Sequence, residues 1–548
     1  MENKRLLMAI VLSTVVFIVW SWLFVKPAQK MNPAQAPQKT ARQETKAPEE
    51  KSAPLPEKQI SKKPTKQLHN ARQIQIETPL YIITVSERAG AITSMVLKKY
   101  RETVDKDSPF KELIAPEVKE RLGTFFVGLE NHDIDIPNAL FVADTDEKMI
   151  RVKDNKRSVA FTYISDKGLN ITKSFTFDPQ SYLIGVDINV QNTGEQDLAD
   201  KLTIELQNKI ASKKRAYGFE GPSALIDEKL VRVNVSKIEK NNRHSGKIRW
   251  FALEDRYFMT SVISEASLAA DLELAVKDKL VSSKLVCSKF DLPPQRQQSF
   301  KYALFMGPKK LSILKAMNNG LDKAVKFGWF DFLAKPFLWF MNFIYRYIPN
   351  YGVAIIILTV ISKLVVWPLG NKSYKSMNQM KKLQPLMNEI KEKYKDDKQR
   401  MNQEMMALYK TYKVNPMGGC LPMLLQIPVF FALYQMLYQA IELRHAPFIL
   451  WINDLSAPDR LFRFNFSIPF MEPPYGLPVL TIIMGITMIL QQKMSPPPGD
   501  PAQAKMMMLM PIFFTVIFIN FPSGLVLYWL VSNILSILQQ WYVQKKAA

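Results

Sequence analysis

The stretch "IIILTVISKLVVWPL", residues 355–369, sets a single charge, Lys363, in a run otherwise fit for lipid. With its flanks the run reaches the ~20 apolar residues that cross about 30 Å of hydrocarbon, so it reads as a membrane span. A lysine inside such a helix costs about 2.5–3.5 kcal/mol, which favours a face turned to protein or water. Snorkelling is the competing reading, because Asn371 lies eight residues further on, about 12 Å along a helix.

Outward from this run, the chain has 548 residues and a formal charge of +23. That charge alone would admit a nucleic-acid binder, but the apolar residues cluster in blocks, and the blocks make this a membrane protein. Spans are expected at 1–25, 351–370, 418–440, 477–493, 505–521 and 523–543. The first, "LLMAIVLSTVVFIVWSWLFV", ends on Trp22, Leu23 and Phe24. A cleaved signal ends on small residues, so this one is read as a retained anchor. Residues 26–70, rich in Lys, Gln, Pro and Ala, cannot bury enough apolar surface to order and read as a disordered linker.

From residue 71 the texture changes. "IQIETPLYIITVSE", "SVAFTYIS", "NITKSFTF" and "YLIGVDINVQN" alternate apolar and polar residues and are β-branched or aromatic, which predicts an antiparallel β-sandwich over 71–308. Residues 309–350 are expected to form connecting and interfacial helices. Asp331, Lys335, Asn342 and Arg346 recur at spacings of four and seven, one polar stripe on an otherwise aromatic helix that lies in the membrane interface.

Charge sets the orientation. Residues 371–413 carry 11 Lys/Arg against 5 Asp/Glu, the excess expected of a cytoplasmic loop. The loop 441–476 is balanced and faces outward, while Lys493, Lys505, Lys545 and Lys546 mark the inside, the last two in the short tail 544–548. Both termini are then cytoplasmic and the β-domain lies on the opposite side of the membrane. Residues 371–417 read as a cytoplasmic helical hairpin with methionine stripes, Met377, Met380 and Met387 on one helix and Met401 and Met405 on the other. Such stripes either pack on each other or offer a pliable surface to varied apolar partners.

Thr359 stands one turn before Lys363 on the same face. Gln426, Gln435, Thr487, Gln491, Ser532, Asn533 and Ser536 are polar residues of the other spans. Each alone is interhelical glue; together, with a lysine and no acidic residue inside the spans, they predict a hydrated, positive hollow. The fourth span is short, and Pro422, Pro428 and Pro511 interrupt others; short spans thin the bilayer beside them.

Some classes are disfavoured, and two, a transporter and an anchored binding module, stand as alternatives. Cys287 and Cys420 imply no disulfide framework, and His69, His132, His244 and His445 show no zinc spacing, so no metal or cofactor is expected. No GxxxxGK[ST] sequence is present, which speaks against ATP hydrolysis. A secondary transporter of an anionic solute would need paired broken repeats and intramembrane carboxylates. An anchored periplasmic sugar-binding module would keep its function in 71–308 alone.

The segments "DDKQRMNQEMMALYK" (396–410), "KVNPMGGCLPMLLQIPVFFALYQML" (413–437), "ELRHAPFILWINDLSAPD" (442–459) and "FPSGLVLYWLVSN" (521–533) closely resemble the YidC/Oxa family of membrane-protein insertases. "WFALEDRYF" (250–258) and "FMGPKK" (305–310) match its Gram-negative layout. The resemblance implies a five-span α-helical core with an N-terminal anchor and a periplasmic β-supersandwich similar to sugar-mutarotase folds. It also implies a positive hydrophilic groove, open to cytoplasm and lipid, that receives the polar segment of a nascent membrane protein. The family's groove arginine falls on Lys363, which keeps the charge but loses the bidentate fork. Thr359, Gln426 and Ser532 match groove-lining positions; Trp367, Phe430, Tyr528 and Trp529 match aromatic positions that contact substrate. The family further implies an insertase and folding chaperone, not an enzyme. Its partners would be nascent membrane proteins, the ribosome and signal-recognition targeting machinery, the SecYEG translocon with SecDF, and the phospholipid bilayer, with no specific nucleic acid.

Overall fold

The computed structural model describes residues 71–131, 139–165, 168–210, 218–412, 414, 421–495 and 501–547. The anchor at 1–25, the linker 26–70, His69, His132 and Cys420 lie outside them. The strand-like texture that begins at residue 71 folds into two sheets. One has five strands, in the spatial order Phe110–Glu112, Ala91–Arg101, Tyr81–Ser86, Gln73–Glu77 and Met149–Arg151. The other has 12 strands, the last being Gln297–Pro308. Pairing is antiparallel throughout the large sheet; Gln73–Glu77 with Met149–Arg151 is a parallel pair.

Alternation places the core. Along Leu169–Phe177 every second residue is buried, and Phe175 meets Phe125 and Phe161 edge-on at ring distances of 5.8 and 5.9 Å. The same alternation turns Lys173 inward, where it is fully buried. Its ammonium donates to the carbonyls of Ala89 and Gly90, both at 2.7 Å, and sits 4.2 Å from the centre of the Phe141 ring. Gly90 has φ +51°, and a Cβ there would lie 2.6 Å from Lys173 Cε, so both conformation and space demand glycine.

Burial pushes the Lys173 ammonium down from 10.5 to about 7. Between pH 7 and 10.5 the unfolded chain then binds the extra proton, so stability rises with pH across that window. The thermal midpoint of the β-domain in the intact protein is expected to rise from pH 7 to pH 9 in the wild type. Lys173→Met should flatten that rise.

C-terminal to the sheets the longer helices are α1 (Asp331–Tyr347), α2 (Tyr351–Lys382), α3 (Gln384–Lys393), α4 (Lys398–Thr411), α5 (Leu421–Gln439), α6 (Val479–Met494), α7 (Pro501–Phe518) and α8 (Ser523–Ala547). On α1, Ala334, Leu338, Met341 and Ile344 are buried against the core, while Phe332, Trp339, Phe343 and Tyr347 are exposed. Lys335 pairs with Asp331 at 2.8 Å. A buried aliphatic face and an exposed aromatic face thus flank a narrow polar stripe.

Among the described residues, α2 is the helix long and apolar enough to cross a membrane by length and composition, and α6 and the stretch Lys505–Phe518 are shorter apolar helices. Ile361, Leu364, Val365, Ile486, Leu490, Ile512 and Phe513 are all exposed on these helices, an apolar exterior of the kind that faces lipid. α2 does not stop at residue 370. It runs unbroken to Lys382 because 371–382 contains no proline or glycine, and the first half of the expected hairpin is its continuation.

The helical chain breaks at Leu383, before Pro385, and α4 starts where the Asp397 carboxylate accepts from Arg400 N. Met387 is buried with Leu383 and Val414, and Met380, Met405, Leu408 and Tyr409 pack on them. Met377 and Met401 are half-buried. Met380, Met387 and Met405 are therefore packed within the hairpin, while Met406 is exposed.

The β-domain is fastened to the helices by the residues of "WFALEDRYF". Arg256 donates to the Tyr438 carbonyl at 2.7 Å and stacks 3.6 Å above the Tyr438 ring. Asn350 opens α2 by accepting from Val353 N and donates to the Phe448 carbonyl at 3.0 Å. This brings Phe448 onto the helix start, where a Cβ on Gly352 would lie 2.0 Å from its ring. Gly352→Val is expected to cost at least the 1–3 kcal/mol typical of overpacking (about 1–3), read as a lower melting temperature of the detergent-solubilised protein.

Candidate functional site

Helix α8 packs on α2 and α6 and, less extensively, on α5. Its residues Ser532, Asn533, Ser536, Gln539 and Gln540 are all buried. The spacing 532, 536, 539/540 places them on one helical face, and that face looks inward while apolar residues on neighbouring helices look out. The polarity is inverted relative to a water-soluble bundle.

Lys363, 7% exposed, comes to this face from α2. Its ammonium donates to Ser536 Oγ at 2.7 Å, and Ser536 Oγ donates to the Ser532 carbonyl at 2.8 Å. Gln426 on α5 donates to Ser532 Oγ at 3.0 Å, and Tyr528 on α8 is buried. Lysine, two serines and a glutamine from three helices therefore form one connected seam. The lysine reaches across to α8 and does not snorkel along its own helix. Among the described residues it makes no ion pair, and its ammonium rests on the Ser536 hydroxyl.

The other predicted residues divide. Thr359 is buried, and its hydroxyl donates to the Ile355 carbonyl at 2.6 Å on its own helix. Phe430 meets Trp529 edge-on at 4.8 Å, and Phe518 meets the same indole at 4.8 Å. Trp367 stands apart from that cluster; its carbonyl accepts from Gln539 Nε2 at 2.9 Å. Asn533 donates to Thr487 Oγ1 at 3.3 Å. Gln435 is bonded to Gln439 toward the opposite end of α5. Lys363, Gln426, Ser532 and Ser536 are thus brought together, while Trp367 and Gln435 lie apart from them.

Sequence reasoning passed over Gln539 and Gln540. Gln539 bridges Trp367 O and Asn371 Oδ1, and Gln540 donates to Met494 O at 2.9 Å. The signal was there in the spacing from Ser532 and Ser536.

The loop between α5 and α6 closes the other end. Asp454 accepts from His445 N and from both the amide and the hydroxyl of Ser456. Asp459 accepts from Trp451 Nε1 at 2.7 Å and from Leu480 N at the start of α6. Arg460 donates to the Ile519 carbonyl and Asn520 Oδ1 beyond α7. These bonds staple the loop across the helix ends. No group of His, Cys, Asp or Glu among the described residues is arranged to hold a metal ion.

Residues 73–340 match the family model described as the YidC periplasmic domain, and residues 343–548 match that of the 60Kd inner membrane protein. The membrane protein insertase YidC of Syntrophus aciditrophicus (strain SB) is 41% identical over 568 residues, covering 100% of both chains. The chain belongs to the YidC family of membrane protein insertases. The insertase of Syntrophobacter fumaroxidans (strain DSM 10017 / MPOB) is 40% identical over 560 residues, again covering 100% of both chains. A solved structure, described as an active YidC insertase crystal structure with the first transmembrane domain resolved, covers 86% of this chain and 92% of its own, at 18% identity and TM-score 0.38. The family assignment gives the β-domain and the helical region one common context: an inner-membrane protein with a periplasmic domain.

Proposed function

We propose that insertion by this member of the family runs through the seam around Lys363. One observation carries the reading. The buried faces of α2, α5 and α8 join an unpaired lysine to hydroxyls and amides, whereas the exposed faces of the same bundle are apolar. A polar seam with one positive charge lowers the cost of bringing a short acidic segment of a client into the membrane, and the client's own apolar span then leaves along the Phe430–Trp529 side into lipid. Burial of that span, worth about 25 cal/mol per Å2 of apolar surface, drives the step. No covalent bond changes, and no nucleotide or cofactor is needed.

In this reading the termini and the hairpin α3–α4 are cytoplasmic and the β-domain periplasmic. The hairpin meets the ribosome or signal-recognition targeting machinery, SecYEG with SecDF serves clients that need translocated loops, and the chain also assists their folding. Closure by the stapled α5–α6 loop keeps the seam from becoming a through-pore. A photoreactive residue at Gln426 or Ser532 is expected to cross-link to a ribosome-held client, and one at Ile164, exposed on the β-domain, is not. Cross-links confined to the lipid-facing Phe513 would sink the route.

A further inference from the structure

A second polar feature lies far from the seam. Strand Ala91–Arg101, the α1–α2 joint and the residues after α5 enclose a cleft of about 570 Å3, within the size range of small-ligand sites. Its walls carry Lys98, Lys99, Arg101, Lys310 and Arg444. Three of these cations already have partners: Lys98 pairs with Glu77 at 2.7 Å, Arg444 donates to the Arg101 and Glu102 carbonyls at 2.6 and 3.2 Å, and Arg101 donates to the Ser108 carbonyl and lies 5.0 Å from the centre of the Phe110 ring. Lys99, Arg101 and Lys310 make no ion pair among the described residues.

One acid shares the cleft with these five basic side chains, so the lining stays cationic. Burial pushes the Glu442 carboxyl upward, against the pull of the Lys310 charge, and its Oε1 is buried without a hydrogen-bond partner among the described residues. Tyr345 and Tyr351 stack at 3.9 Å in the same wall, with the Tyr351 hydroxyl on Asn342 at 3.1 Å. Tyrosines of this kind sit at headgroup depth. On α1 the exposed Phe343 and Tyr347 flank the lining Tyr345 in sequence and meet each other edge-on at 5.2 Å, and Phe332 and Trp339 continue the exposed aromatic face along the helix.

We propose that this cleft binds the phosphate headgroup of an anionic phospholipid, with Lys99, Arg101 and Lys310 meeting the charge and the aromatic face of α1 meeting the acyl chains. The proposal rests on the orientation given above only for which leaflet supplies the lipid. A soluble phosphate would meet the same cations but would gain nothing from the aromatic face, and that difference separates the two sources.

The test uses the full-length protein, delipidated in mild detergent and offered short-chain phosphatidylglycerol, short-chain phosphatidylcholine, inorganic phosphate or an acidic peptide, with bound molecules counted by native mass spectrometry. Phosphatidylglycerol should be retained preferentially, and Lys99→Gln/Lys310→Gln should lower retention at least about fivefold, the equivalent of about 1 kcal/mol. Lys156→Gln, on an exposed β-domain lysine, should leave retention unchanged, and equal melting temperatures would show that all variants are folded. Equal retention of the two lipids, phosphate bound as well as lipid, or occupancy by the acidic peptide in preference to lipid would each overturn the proposal. The count is independent of insertion activity, so it stands or falls separately from the insertion route.

Discussion

Replacing Lys363 by glutamate is expected to suppress insertion of a client whose translocated segment is acidic by at least about tenfold in vesicles containing only this protein. The size follows from charge. Two unit charges about 6 Å apart in a medium of effective dielectric ~20 interact by roughly 3 kcal/mol, and reversing one turns attraction into repulsion; about 1.4 kcal/mol already gives tenfold. Lys363→Arg should keep most activity, because the charge and a donor to Ser536 survive, and Lys363→Ala should fall between. Rates are read as protease-protected client against time. Equal rates for all variants would mean that hydration and local thinning suffice without the charge. Ser536→Ala adds a second check: it removes the acceptor that holds the ammonium at 2.7 Å and should weaken acidic clients more than neutral ones.

The largest stability loss is expected far from the seam, at Glu254. Its side chain is 0% exposed and accepts from Lys309 Nζ at 3.0 Å and Arg232 Nη2 at 3.2 Å. Arg232 also donates to the Ala324 carbonyl, so this carboxylate ties the large sheet to the segment leading into α1. Removing one partner of a buried charge group costs about 3–5 kcal/mol, because the remaining charges are left uncompensated. Glu254→Gln should therefore lower the melting temperature of the intact protein sharply and expose the 309–330 segment to limited proteolysis.

The same group sets an acid limit. Burial raises the Glu254 carboxyl, Lys309 and Arg232 outweigh it, and the net value lies below the ordinary 4.5. A depressed carboxylate contributes stability that is full above its unfolded value and is lost as pH falls through its folded one. Wild-type stability should thus decline below pH 4.5, with a shallower decline in Glu254→Gln. An unchanged acid profile in the variant would assign the loss to other carboxylates.

How much was legible in the sequence depends on which pattern carried it. The β-domain was legible because alternation in "NITKSFTF" is a local signal, and that alternation also placed Lys173 inside; nothing local said what would receive its ammonium. Ala89 and Gly90 lie more than eighty residues away in the chain. The α1 stripe at 331, 335, 342 and 346 was likewise local. The end of the second span was not: hydropathy stops at residue 370, but a helix ends where its backbone bonds do, and the first proline on the far side is Pro385. Hydropathy marks where lipid ends, while capping and proline mark where the helix ends.

Within the site, Lys363, Gln426, Ser532 and Ser536 were visible as polar residues in apolar runs, and the structure joins them. The partition of the aromatic residues was not visible. Phe430 and Trp529 touch, and Trp367 does not reach them, because their separation depends on how α2, α5 and α8 cross. For Gln539 and Gln540 the spacing was available, but their position near the tail of α8 hid it among residues that also fit a solvated helix end.

The most direct measurement of the central claim is a charge exchange. Wild type and Lys363→Glu would each be reconstituted alone in vesicles and given two forms of one single-spanning client, its short translocated segment acidic in one and basic in the other. The account predicts a crossed result: wild type inserts the acidic form faster, and Lys363→Glu inserts the basic form faster than the acidic one. If both proteins rank the two clients in the same order, the charge at residue 363 does not read the client, and the seam is not an electrostatic receptor.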